Sequence, residues 1–484
     1  MSYSKGKVLT NFLWRFAERC GAQGVALVVS IVLARLIAPE HYGTLALVTV
    51  FTDIHQVLVD SGLGSALVQK KDADDLDFSS VFFFNIAVCL ILYAGMFFLA
   101  PRIAGFYQDM ELVPVIRVMS LVLVISGVKN VQQAYVSRQM LFKRFFFATL
   151  GGTVVAAVVG IAMAYMGFGV WALVAQNLVN KMIDTIVLWY TVRWRPKLMF
   201  SWKRLKGMIS YGWKLLAAGL LDTVFTNLRQ LVIGKMYTSS DLAYFNRGQI
   251  FPNTIVNNVN TSISSVLFPA MSSAQEDPER VKVMTRRSIM VSTYVMAPLL
   301  MGLAFCAEPI VSILLTDQWL PCVPFLRIFC IAYMFYPIHT ANLSAIKAMG
   351  RSDLFLSLEV VKKVVGMILL LVSMWFGVMA MAYSLLISSF LAQLINSWPN
   401  RKLLNYNYME QMKDILPGIL TAVGMGICVY LLGMLPMAKG PLLVLQILAG
   451  AVIYVMISAI WKIEAFGYLW GMLKPYIMRR TNHG

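Results

Sequence analysis

The apolar positions of this chain fall in long runs, not in strands that alternate residue by residue. Mostly hydrophobic stretches of about twenty residues or more are separated by short polar connections. A membrane barrel strand would alternate over about ten residues, so runs this long predict spanning helices. The pattern predicts about fourteen of them, at 8–37, 41–69, 79–100, 112–138, 144–166, 168–192, 208–236, 240–271, 285–306, 322–348, 354–376, 378–402, 414–435 and 441–465. The fold class is therefore an all-α polytopic membrane protein.

Two of these runs carry polar stripes. Helix 1 places Arg15, Arg19, Gln23, Ala26 and Ser30 at steps of four, four, three and four. Helix 7 places Lys214, Ala218, Asp222, Phe225 and Arg229 at the same steps. Helical geometry puts each set on one face. Charge at membrane depth faces water or a partner, not lipid, so the two stripes are expected to face each other across a central cavity.

The likeness extends along the chain. Trp14-Arg15 overlies Trp213-Lys214, and Glu40-His41-Tyr42-Gly43 overlies Ser240-Asp241-Leu242-Ala243. Further on, Ile116-Arg117-Val118-Met119 overlies Leu326-Arg327-Ile328-Phe329, and Phe168-Gly169-Val170 overlies Phe376-Gly377-Val378. Helices 1–6 thus repeat as helices 7–12. Six spans is an even number, so the copies share one orientation, a parallel repeat typical of transporters. The expected division is an N-lobe over 1–206, a C-lobe over 207–410, and two added helices with a tail over 411–484.

Composition agrees with the pattern: 59% of the 484 residues are hydrophobic, 13% are charged, and mean hydropathy is +0.71. The net charge of +18 suggests nucleic acid until its placement is considered. Arg193, Arg195, Lys197, Lys203, Arg204 and Lys206 crowd one connection, while others, such as Met166–Gly169, hold no charge. This is positive-inside asymmetry and excludes a nucleic-acid binder. Lys5, Lys7, Arg479 and Arg480 put both termini in the cytoplasm. The basic start leads into a helix too long for a signal h-region, so no cleaved signal is expected.

Further polar residues lie within the apolar runs. Helix 2 carries Asp53, Gln56 and Asp60 on one face, and helix 8 carries Arg247, Asn253, Asn257, Asn258 and Asn260. Helix 4 carries Lys129 with Gln132 and Gln133, and at an offset of 210 its counterpart carries His339 with Asn342. Lys181 and Asp184, one turn apart on helix 6, read as a self-satisfied pair; for Glu18 and Arg19 a structural pair within helix 1 is the alternative to a cavity role.

A cavity lined by Arg15, Arg19, Lys129, Lys214, Arg229 and Arg247 suits an anionic ligand, since Arg grips phosphate oxygens in bidentate fashion and Lys acts as a point charge. The amides Gln23, Asn253, Asn257 and Asn260 suit sugar hydroxyls. Glu18, Asp53, Asp60 and Asp222 are the candidates for coupling to H+ or Na+. The six cysteines show no metal spacing and read as packing residues, although a disulfide between Cys306 and Cys322 stays open. No Walker A loop, Gly-x-Ser-x-Gly or His-Glu-x-x-His is present, so neither a catalytic site, a cofactor nor a metal is expected.

Two six-helix lobes, two added helices, a basic first helix and Tyr42-Gly43 after a short outer loop together resemble the Wzx-type polysaccharide exporters of the multidrug/oligosaccharidyl-lipid/polysaccharide (MOP) superfamily, over essentially the whole chain. The resemblance implies a bacterial inner-membrane flippase. Its substrate would be undecaprenyl-pyrophosphate-linked oligosaccharide repeat units, moved to the periplasmic leaflet by alternating access, with membrane lipid around it and a polysaccharide polymerase as partner. It carries a cavity-cation role to Arg15, Arg19 and Lys214, and by helix position to Arg247. Related flippases form a cationic lipid groove with their two last helices. Here Ile415–Leu435 and Leu442–Ile460 hold no charge, so those helices are expected to be peripheral and lipid-facing. The alternative is an ion-coupled multidrug antiporter of the same fold, whose cavity should be acidic. A major-facilitator transporter is disfavoured because Lys70–Asp77 lacks its loop motif, and a glycosyltransferase or polymerase because no large outer loop is present.

Overall fold

Helices begin and end where local chemistry dictates. In the computed structural model, which describes residues 5–60, 63–70, 72–139 and 141–471, the first helices are α1 (Lys5–Leu36), α2 (Pro39–Asp60), α3 (Leu63–Gln69), α4 (Asp75–Tyr107), α5 (Leu112–Met119), α6 (Leu121–Arg138), α7 (Phe142–Tyr165), α8 (Val170–Thr191) and α9 (Trp202–Met236). Next come α10 (Ser239–Ser272), α11 (Pro278–Phe305), α12 (Ala307–Leu315), α13 (Val323–Tyr333), α14 (Tyr336–Ala348), α15 (Ser352–Ser373), α16 (Val378–Ser397), α17 (Asn400–Leu403), α18 (Tyr408–Leu432) and α19 (Lys439–Ile460).

Each predicted segment falls on one of these helices or on a consecutive pair. Nine of the described helical stretches are long and apolar enough to cross a membrane. Among the described residues, three segments predicted as single helices are broken, the twelfth at Trp398 and Pro399 between α16 and α17. The fourth divides at Ser120, whose hydroxyl donates to the Ile116 carbonyl at 2.7 Å. The tenth divides at Met334 and Phe335, just before Pro337, which has no N–H to continue the ladder.

The caps are specific. Asp74 accepts from the Asp77 N–H at 3.0 Å while Asp77 accepts from the Asp74 N–H at 3.2 Å, a capping box that starts α4. Asn407 and Glu410 do the same for α18. Asp277 caps α11 ahead of Pro278.

The repeat is written in these same joints. The first pair of helices ends at Leu36 and restarts at Pro39, and its counterpart ends at Met236 and restarts at Ser239. Gly169 (φ +52°) and Gly377 (φ +100°) occupy the left-handed region immediately before α8 and α16, where other residues are strained. Arg117 Nε donates to the Phe97 carbonyl at 3.2 Å, and Arg327 Nε donates to the Ala304 carbonyl at 3.2 Å. An arginine thus ties the fourth helix of each copy to the third.

Packing divides the chain after Ala243 into two units. In the first, α1 packs on α7, α7 on α8, α4 on α6, and α9 on α2, α3 and α4. The repeat puts α9 at the head of the second copy, yet its packing partners are helices of the first. An aromatic cluster of Phe78, Phe82, Tyr135, Trp189 and Trp194 fills the end of this unit beside the charged connections. There Arg204 meets Asp74 at 2.6 Å, Lys197 meets Asp75 at 2.5 Å and Lys70 meets Asp77 at 2.6 Å. The Arg204 guanidinium holds the Asp74 carboxyl at about 2, below its ordinary 3.8.

In the second unit, α11 packs on α18, α18 on α19, α15 on α16, and α13 on α16. Arg286 binds Asp414 at 3.0 Å and Glu464 at 2.6 Å, tying α11 to α18 and to the segment after α19. The last two helices are therefore fastened to the unit, while their outer faces expose Leu416, Leu420, Val444, Ile447 and Val452. Cys89, Cys306, Cys322, Cys330 and Cys428 are free thiols, so Cys306 and Cys322 are not joined.

Candidate functional site

The C-terminal half of α2 borders two polar clefts within the first unit. One, of about 310 Å³, lies between α2 and α9 and is lined by Asp53, Gln56, Val57, Asp60, Asp222, Thr223, Thr226 and Asn227. The other, of about 440 Å³, lies between α2–α3 and α6 and is lined by Asp60, Gly64, Ser65, Val68, Asn130, Gln133, Ala134 and Ser137. Asp60 belongs to both walls.

Helix periodicity accounts for the first cleft. Asp53, Gln56 and Asp60 fall three and four residues apart, on one face of α2. Asp222, Thr223, Thr226 and Asn227 form the facing wall of α9. Gly219 lets α9 approach, since a Cβ there would lie 3.2 Å from Val57. Gln56 Nε2 donates to Asp60 Oδ1 at 3.0 Å, and Asn227 Nδ2 returns to the Thr223 carbonyl at 3.0 Å. The structure therefore brings together three of the four predicted coupling acids, Asp53, Asp60 and Asp222. The fourth, Glu18, lies outside the described side chains.

The cations are arranged differently from expectation. Lys129 makes an ion pair with Asp184 on α8, and both side chains are largely buried. The expected Lys181–Asp184 pair is thus corrected. Spacing along α8 suggested it, but α6 packs on α8 and delivers Lys129 to the carboxylate. Lys181 is half-buried and stands within electrostatic reach of Asp53, Asp60, Asp184 and Lys129. The charge of Lys129 is directed into the unit and not toward an open cavity. Arg247 is also less open than its proposed role required. It is 4% exposed, and its guanidinium carbon lies 4.9 Å from the Trp319 ring centroid, a cation–π contact. Arg229 is half-buried on α9. Arg15, Arg19 and Lys214 lie outside the described side chains. Of the described α9 stripe, Asp222 lines the cleft with α2, whereas the stripes were expected to meet α9 against α1.

Of the predicted sugar-contacting amides, Gln23, Asn253 and Asn257 are exposed and Asn260 is half-buried. Asn258 donates to the Thr254 carbonyl of its own helix at 2.9 Å. Sequence reasoning missed Ser65, Asn130, Ser137, Thr223, Thr226 and Asn227. A signal was present for three cleft residues: Asn130, Gln133 and Ser137 recur at steps of three and four, a polar face of α6 distinct from that of Lys129. His41, noted in the repeated loop, sits where a Cβ on Gly169 would meet its ring at 2.7 Å.

At the opposite end of α2, the two copies touch at equivalent positions. Ser240 Oγ donates to Glu40 Oε1 at 3.3 Å, and a Cβ on Gly43 would lie 1.7 Å from the Ser239 carbonyl oxygen. Only glycine fits at 43. Beside it, Lys235 donates to the Phe106 carbonyl and covers the Phe106 ring at 4.5 Å. The first unit is thus tied together at this end and carries polar clefts toward the other.

Comparison with known proteins places this architecture. A family profile described as "Polysaccharide biosynthesis protein" matches residues 32–324. The succinoglycan biosynthesis transport protein ExoT of Rhizobium meliloti (strain 1021) is 27% identical over 315 residues, 64% of this chain and 63% of that protein. This match thus spans less than two thirds of that relative's length. The lipopolysaccharide biosynthesis protein WzxC of Escherichia coli (strain K12) is 24% identical over 398 residues, 81% of this chain and 79% of that protein. Among solved structures, lipid II flippase MurJ in an inward closed conformation matches with a TM-score of 0.76 at 15% identity, over 93% of this chain and 98% of that one.

Proposed function

The chain belongs to the polysaccharide biosynthesis protein family, and from that premise we propose that it is a flippase for prenyl-pyrophosphate-linked oligosaccharides. The family, the multi-pass membrane architecture and the MurJ-like fold support a transporter. The observation that carries the reading is the polar, charge-lined interior of a membrane-embedded unit in a chain that matches a lipid flippase over 93% of its length. A solvated path of this kind lets a polar headgroup cross while its lipid tail stays in the bilayer.

In this reading the substrate is an undecaprenyl-pyrophosphate-linked repeat unit of an exopolysaccharide of the colanic acid type. It enters from the cytoplasmic leaflet of the inner membrane and leaves to the periplasmic one. The functional lobes are 1–206 and 207–410, with 411–484 as the added pair. Both termini and the Lys70–Asp77, Arg204 end of the first unit are cytoplasmic by the positive-inside rule. Arg15, Arg19, Lys214, Arg229 and Arg247 attract the pyrophosphate, and the membrane potential acts on its charge. Asp53, Asp60 and Asp222 bind the coupling H+ or Na+. Lys129 acts by holding Asp184. A polymerase takes the unit on the far side.

The second reading is an ion-coupled multidrug antiporter, and the specific observation in its favour is the acidic lining between α2 and α9. Depleting the protein from cells and weighing their prenyl lipids by mass spectrometry separates the two. The flippase reading expects one complete repeat unit on undecaprenyl pyrophosphate to accumulate. No accumulation, with new sensitivity to cationic dyes, would replace it by the antiporter.

A further inference from the structure

The cleft between α2–α3 and α6 has a lining of which the pyrophosphate and coupling roles use Asp60 alone. Its polar groups are one carboxylate, two amides and two hydroxyls: Asp60, Asn130, Gln133, Ser65 and Ser137. Among the described residues, no cation lines it, and the side chains of Ser65, Gln133 and Ser137 find no hydrogen-bond partner there. Polar groups in a membrane unit that bond to nothing internal must be answered by water or by a ligand.

Two features build the cleft. Asn130 Nδ2 donates to the Val59 carbonyl at 3.0 Å, fixing α6 to the end of α2. That bond aims Asn130 Oδ1 at Gly64, where a Cβ would lie 3.1 Å from it. Glycine at 64 keeps the floor open. The volume of about 440 Å³ lies within the range of about 300–1,000 Å³ usual for small-ligand sites. Asp60 is the charged group of this lining, so the cleft offers no cation to hold the pyrophosphate.

We infer that this cleft is a glycan subsite, taking the hydroxyl-rich sugar portion of the lipid-linked substrate while the pyrophosphate is held elsewhere. The inference rests on the flippase reading. Gln133 and Asn130 supply amide oxygens, Ser65 and Ser137 both donate and accept, and Asp60 accepts from sugar hydroxyls. The site discriminates by the presence of sugars, not by charge.

The test uses the full-length protein in lipid nanodiscs with two probes, undecaprenyl pyrophosphate alone and undecaprenyl pyrophosphate carrying the oligosaccharide isolated from cells depleted of the protein. Two variants probe the site: Q133A/S137A removes donors and acceptors from an exposed face, and Gly64→Leu fills the floor. Two or three hydrogen bonds of about 0.5–1.5 kcal/mol each predict that the wild type holds the glycolipid about tenfold or more tighter than the bare lipid. Both variants should lose that preference while binding the bare lipid as the wild type does. Variants that keep the preference would overturn the subsite. A wild type that binds both probes equally would also overturn it, yet leave the flippase reading standing. A wild type that binds neither would remove both.

Discussion

The same helix contact is built twice in this chain, with opposite chemistry. In the first unit α6 meets α8 through Lys129 and Asp184. In the second, α14 meets α16 through His339 and Asn396, whose ring nitrogen and amide lie 3.1 Å apart. Lys129 and His339 are equivalent at an offset of 210, as are Gln132 and Asn342. Gln132 Nε2 donates to the Trp194 carbonyl at 3.0 Å, while Asn342 joins a network with Ser397, Asn400 and Gln411. The arginine tie from Arg117 or Arg327 is retained in both units. Duplication preserved the scaffold, and charge was placed in one copy, the copy whose α2 borders the polar clefts.

The largest effect should come from breaking the charged version. Asp184→Ala leaves Lys129 and Lys181 without their buried counter-charge and should cost about 3–5 kcal/mol. Asn396→Ala removes one neutral hydrogen bond and should cost about 1 kcal/mol. Denaturant unfolding in detergent compares them directly, and equal losses would dissolve the contrast. The double variant Lys129→Leu with Asp184→Leu should recover most of the stability, since an apolar pair often replaces a buried ion pair without loss.

Next in size are the acids of the first cleft. Asp53→Asn, Asp60→Asn and Asp222→Asn should each lower export by about 5- to 150-fold, the range of a coupling free energy of about 1–3 kcal/mol. Membrane abundance should be unchanged. Surface polysaccharide, read beside protein level, checks this, and export at wild-type rates in all three would remove the coupling role.

The contact at the start of α2 offers a smaller effect. Gly43→Val drives a side chain into the Ser239 carbonyl and should cost about 1–3 kcal/mol, as overpacking does. Cysteines placed at 40 and 240 should crosslink while Gly43 is kept and fail to do so in the Gly43→Val background. The smallest effect belongs to the charged end. Arg204→Ala should move the unfolding midpoint least, because its pair with Asp74 is exposed to solvent and screened. The sign of that effect with pH follows from the lowered carboxyl. Asp74 is held at about 2 against an ordinary 3.8, so its contribution is full above about pH 4 and is lost as pH falls through about 2. Thermal unfolding of the two proteins should therefore converge in acid.

Much of the fold was legible because duplication left marks at positions with one physical solution. The turns at Leu36–Pro39 and Met236–Ser239, and the left-handed Gly169 and Gly377, align from the residues alone. The acids of α2 were legible from helical spacing, and Asp222 joined them through the repeat. Pairing across helices was not. Spacing on α8 sees Lys181 beside Asp184 and cannot see α6 arriving with Lys129. The subsite lining escaped because Asn130, Gln133 and Ser137 are individually ordinary residues, and only their convergence on Gly64 and Asp60 makes a cleft. Arg247 read as a cavity cation because sequence does not show that Trp319 covers it.

The central claim, movement of a lipid-linked glycan, is tested most directly by translocation in proteoliposomes. Undecaprenyl-pyrophosphate-linked oligosaccharide is placed in both leaflets, and periodate outside oxidises the sugars it can reach. Without protein, about half of the glycan should stay protected, because its hydroxyls do not cross hydrocarbon unaided. With the protein, protection should fall toward zero on the timescale of the assay, and more slowly with Asp60→Asn. Protection that stays at the protein-free level, in vesicles shown to contain folded protein, would contradict the account.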